Sequence, residues 1–105
     1  GWTGGPYGLG HRISLPLTRV MLNAALDGKL EGVDYESDPI FKVAVPTSCP
    51  GIDDPSILKP VNTWDDPAAY EERANKLARD FAESYEKAYG DKGIDAAVAA
   101  ECPGI

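Results

Sequence analysis

The chain of 105 residues is poor in the side chains that bind metals or build redox and nucleophilic centres. It has one histidine, His11, and two cysteines, Cys49 and Cys102, with no CxxC pair. A structural zinc site needs four such ligands, and a disulfide framework needs at least four cysteines, so neither class fits. A single Cys49–Cys102 bridge is open from sequence alone. With no signal peptide in view, reduced thiols in a cytoplasmic compartment are the expectation. Basic residues are also scarce: ten Lys and Arg against 17 Asp and Glu give a net charge of −7. That balance argues against a grip on nucleic-acid backbone or on anionic lipid. No apolar run approaches the roughly 18 residues of a membrane helix. What remains, 43% hydrophobic and 26% charged, is the composition of a chain that packs into one small domain.

Along the chain, Gly1–Gly10 holds five of the eleven glycines and reads as a loop anchored by its aromatic residues Trp2 and Tyr7. His11–Leu15 alternates polar and apolar residues as a short strand does, and Pro16 ends it. Leu17, Val20, Met21, Ala24 and Ala25 then fall at helical spacing, with Pro16 early in the helix or just before it and Gly28 as the stop. Lys29–Pro39 is polar and turn-rich, and Ile40–Val45 reads as a strand closed by Pro46. Asp65 or Asp66 caps a long helix that opens at Pro67 and stops at Gly90, with Glu71 and Glu72 complementing its positive end. Its apolar face runs through Tyr70, Ala74, Leu77, Ala78, Phe81, Tyr85 and Ala88. Its polar face pairs Glu72 with Lys76 and Glu83 with Lys87. Ile94–Glu101 is a short final helix. Nothing marks an internal repeat or a second domain.

Few residues qualify for chemistry. Gly5 and Gly10 have the spacing of the glycines in a phosphate-binding P-loop, but His11 and Arg12 stand where that loop needs Lys and Ser or Thr. Gly8-Leu-Gly10 lacks the third glycine of a dinucleotide fingerprint, Ile13 standing in its place. Asp53-Asp54 and Asp65-Asp66 are turn and cap residues rather than metal ligands. Arg12, Ile13 and Thr18 form the more informative cluster. Arg12 offers a planar fork and a stacking face beside the glycine loop, or a surface salt bridge. The Thr18 hydroxyl can cap a helix or bond a ligand.

At these residues the chain resembles the C-terminal end of ATP-dependent phosphoenolpyruvate carboxykinases. The ordered blocks are GWTGGPYGLGHRISL, LTRVMLNAALDGKL, DPIFKVAVPTSCPG and ILKPVNTWDDPAAYEERANKLARDF, covering Gly1 to about Tyr89. The resemblance implies an α/β fold, here the C-terminal part of a P-loop-type mononucleotide-binding domain, mostly helical with short strands, over residues 1–105. It implies a carboxy-lyase of gluconeogenesis in the cytoplasm that converts oxaloacetate and ATP to phosphoenolpyruvate, ADP and carbon dioxide, served by Mg2+ and Mn2+. The P-loop and metal ligands would lie in the remainder of the enzyme chain, so this segment alone is expected to be inactive, with no catalytic or metal residue. Carried over residue by residue, Arg12 by its side chain, Ile13 largely by its backbone and Thr18 correspond to nucleotide contacts on the adenine side of the ATP site. His11 departs from the lysine common at its position and is assigned no catalytic role. A chain that opens at the GW pair lacks the strand that precedes it in the family, so a piece of a larger enzyme is expected, its apolar faces awaiting partners. The competing reading is a non-catalytic acidic module that docks through the Asp66–Gly90 helix.

Overall fold

A computed structural model describes all residues from Gly1 to Ile105. Two strands, β1 (Trp2–Thr3) and β2 (His11–Arg12), close the glycine loop as an antiparallel ladder, with Trp2 opposite Arg12 and Thr3 opposite His11. The strand foreseen over His11–Leu15 is therefore only two residues long. Ser14 leaves it to cap helix α1 (Leu15–Leu26), its Oγ accepting from the Leu17 N–H at 3.4 Å, and Leu15 becomes the first helical residue. Pro16 sits in the first turn, where no intrahelical donor is lost. Gly28, at φ +72°, takes the left-handed conformation that lets the chain turn away after the helix.

The second ladder pairs β3 (Tyr35–Ser37) with β4 (Ala44–Pro46). Both depart from expectation. β3 lies inside the stretch read as turns, and Ile40–Val45 is a strand only from Ala44. Asp38 is the physical reason: its Oδ1 accepts the backbone N–H groups of Ile40 (2.8 Å) and Phe41 (2.6 Å), bending the apolar run into the hairpin turn. Lys42 completes that turn at φ +63°, a left-handed conformation that costs a non-glycine residue about 1–2 kcal/mol.

Two 3-10 turns, Pro55–Leu58 and Pro60–Thr63, lead to helix α2 (Pro67–Tyr89). The Asp66 side chain accepts from the Ala68 N–H at 3.0 Å, Pro67 opens the helix and Gly90 caps its end. Glu71 and Glu72 lie beyond the first turn and do not serve the dipole there. Of the i, i+4 partners open to it, Lys76 takes Asp80 at 2.8 Å rather than the expected Glu72, and Glu83 forms no ion pair with Lys87. The last helix, α3 (Ala96–Ala99), is four residues long, half the expected span, and is capped by Asp95.

These elements do not close over a common core. Only Ala24, Cys49, Ala74 and Ala78 are buried, and no large side chain is fully enclosed. The accessible surface of 7592 Å² exceeds by about 1,900 Å² that of a compact protein of this mass. The radius of gyration is 15.9 Å, against about 13 Å for a compact chain of this length. The apolar stripe of α2 is covered only in part: Phe41 meets Phe81 edge-on at 6.5 Å and Trp64 meets Tyr70 at 5.5 Å, while Leu77 and Phe81 stay half exposed. Trp2 and Tyr7 anchor nothing. Trp2 is 76% exposed and Tyr7 wholly so.

Candidate functional site

The junction of β2 and α1 carries Arg12, Ile13 and Thr18. Its shape depends on glycine. A Cβ on Gly10 would stand 2.8 Å from the Gly5 carbonyl oxygen and 2.9 Å from that of Thr3, so the two sides of the loop approach at a distance only glycine allows. Gly4, at φ +86°, leaves room for the His11 ring, which lies where a Cβ would be. The base of the loop is fastened from far along the chain: the Thr63 hydroxyl accepts from Thr3 Oγ1 (2.6 Å) and from the Gly4 N–H (3.1 Å) and donates to the Pro60 carbonyl (2.7 Å).

On this frame the three residues keep their polar groups uncommitted. Arg12 is exposed and forms no ion pair, and being directly opposite Trp2 it shares that residue's face of the ladder. Ile13 is half-buried; its N–H donates to the Gly1 carbonyl at 2.9 Å, while its own carbonyl accepts no bond within the chain. Thr18 lies one turn into α1 and its hydroxyl has no partner, since Ser14 performs the capping. The surface salt bridge open to Arg12 and the cap open to Thr18 are thus both absent. A backbone contact from Ile13 would have to use its carbonyl, an acceptor suited to an amino group.

The three do not line a formed cavity. A cleft of about 680 Å³ is formed by the glycine loop itself and is lined by Trp2, Gly5, Pro6, Tyr7, Gly8 and Gly10. No group of His, Cys, Asp and Glu side chains in the chain is arranged to hold a metal ion. Ser14 and Thr63 emerge as the residues that position the junction. A serine two places before a first-turn proline is a readable cap signal. Thr63 has no local signal, because its partners in the glycine loop, Thr3 and Gly4, are about sixty residues away.

The sequence profile of the family described as phosphoenolpyruvate carboxykinase matches residues 1–55, which include the whole junction. The chain belongs to the phosphoenolpyruvate carboxykinase family. Among curated relatives, phosphoenolpyruvate carboxykinase (ATP) 2 of Moorella thermoacetica is 53% identical over 87 residues, which is 83% of this chain and 16% of the relative. Phosphoenolpyruvate carboxykinase (ATP) of Thermus thermophilus is 52% identical over the same length, and that of Geobacillus thermodenitrificans is 47% identical over 96 residues. The chain therefore spans about a sixth of the length of the carboxykinases it matches. Within the carboxykinase family the mixed helix and strand content fits, and no helix is long and apolar enough to cross a membrane.

Proposed function

We propose that this chain forms the adenine-side wall of the ATP site in a carboxykinase that converts oxaloacetate and ATP to phosphoenolpyruvate, ADP and carbon dioxide. Its residues 1–105 would be the C-terminal segment of a P-loop-type mononucleotide-binding domain. One observation carries the reading: a guanidinium, a carbonyl and a hydroxyl, all uncommitted, lie within seven residues of one strand–helix junction in a chain of this family. Arg12 would bond or stack on the nucleotide by its fork, the Ile13 carbonyl would accept from the base, and Thr18 would add a neutral hydrogen bond. Phosphoryl transfer rests on positioning and charge neutralisation. This chain supplies only base-side positioning, so the phosphate-binding lysine and the ligands for Mg2+ and Mn2+ belong to the rest of the enzyme.

The rest of that enzyme is also the partner that the open surface calls for. It would cover Leu77, Phe81 and the aromatic residues of the glycine loop, and that occupant leaves no need for a separate role of α2 as an interaction module. Two free thiols, one of them buried, suit a reducing cytoplasm. The test is Arg12→Ala in an intact carboxykinase carrying this segment. A hydrogen bond from a charged donor contributes about 1.5–3 kcal/mol, so the KM for ATP should rise about 10- to 100-fold while that for oxaloacetate stays near its original value. An unchanged KM for ATP would remove the role given to Arg12.

A further inference from the structure

The last six residues are held to the fold from two sides. On one side the Lys42 ammonium donates to the carbonyl oxygens of Ala100 (2.9 Å) and Cys102 (3.3 Å) and to a main-chain oxygen of the last residue, Ile105 (3.1 Å). Lys42 stands at the left-handed position of the hairpin turn, and its ammonium pairs with no Asp or Glu side chain. On the other side Gly104, at φ +84°, lies so close to α2 that a Cβ would run into the Ala78 carbonyl. Ala78 beneath it is 3% exposed, the most buried residue of the chain. Helix α3 is a single turn and too short to hold this segment by itself.

We propose that residues 100–105 form a strap over α2 whose closure depends on the charge of Lys42. Three main-chain oxygens converge on one ammonium, and the same three lose their shared donor when that charge is removed. Opening the strap bares Ala78 on the α2 stripe and the Cys102 thiol, which is half-buried when the strap is closed. Cys49, in the loop against α1, is untouched by the movement and reports on the fold as a whole.

The two thiols make the test direct. Iodoacetamide labelling of an intact carboxykinase carrying this segment, resolved by peptide mass, gives a rate for each cysteine. Lys42→Met keeps the length of the side chain without its charge, and the loss of charged hydrogen bonds should raise Cys102 labelling by about tenfold or more. Cys49 labelling should stay at its original rate. Lys42→Arg, which keeps charge and donors, should label at Cys102 within about threefold of the original chain. Gly104→Ala should open the strap from the α2 side and speed Cys102 alone. The proposal is overturned if Cys102 labelling is the same in Lys42→Met and the original chain, or if Lys42→Arg is as fast as Lys42→Met. It is equally overturned if Cys49 accelerates together with Cys102, since the strap then has no movement of its own.

Discussion

Thr63 carries one hydroxyl, and each of its hydrogen-bonding positions is occupied: two acceptor contacts from Thr3 and Gly4 and one donor contact to Pro60. That side chain fixes where the glycine loop sits and so where Arg12 points. Valine has the same shape without the hydroxyl. Thr63→Val should therefore loosen the loop by about 1–2 kcal/mol, read as a 5- to 30-fold faster hydrogen exchange of the Gly4 amide. An unchanged Gly4 exchange rate would mean that the loop is held by something else. Ser14 satisfies the helix end without Thr18, and no carboxylate pairs with Arg12, so both side chains stay uncommitted.

Helix α2 and the β3–β4 hairpin meet where Tyr70 approaches Asp38. Burial raises the Tyr70 hydroxyl above the ordinary 10.0, and the nearby Asp38 charge adds to it. The neutral phenol is thus the form the fold prefers. Its contribution to stability is fully present below pH 10 and is lost as pH climbs through the raised value. The wild-type chain should lose more stability above pH 10 than Tyr70→Phe, followed by urea unfolding at a series of alkaline pH values. Parallel curves for the two proteins would contradict the contact. α2 itself was readable from sequence because its signals are local: Asp66, Pro67, a continuous apolar stripe and Gly90. The hairpin was not. Ile40 and Phe41 have strand-like side chains, yet the Asp38 carboxylate takes their backbone N–H groups and makes a turn of them. The tie from Thr63 to the glycine loop and the Lys42 clasp escaped for a different reason. Each joins residues some sixty positions apart, and no periodicity announces them.

Across the whole chain, an exposed area about 1,900 Å² beyond that of a compact protein and only four buried residues mark an open arrangement of elements, as the proposed place in a larger enzyme requires. A 105-residue chain with the composition of an ordinary domain should pack a core of its own, and this one distributes its apolar groups over α2, the hairpin and the glycine loop instead. The net charge of −7 fits that reading. A nucleotide would meet Arg12 here and its phosphates would meet basic groups and metal ions elsewhere in the enzyme. Photolabelling reads where the base lies. Light-activated 8-azido-ATP, bound to an intact carboxykinase carrying this segment, should attach within residues 10–19 and be competed away by ATP. Labelling confined to other parts of the enzyme, with none in that segment, would contradict the placement of the base against Arg12, Ile13 and Thr18.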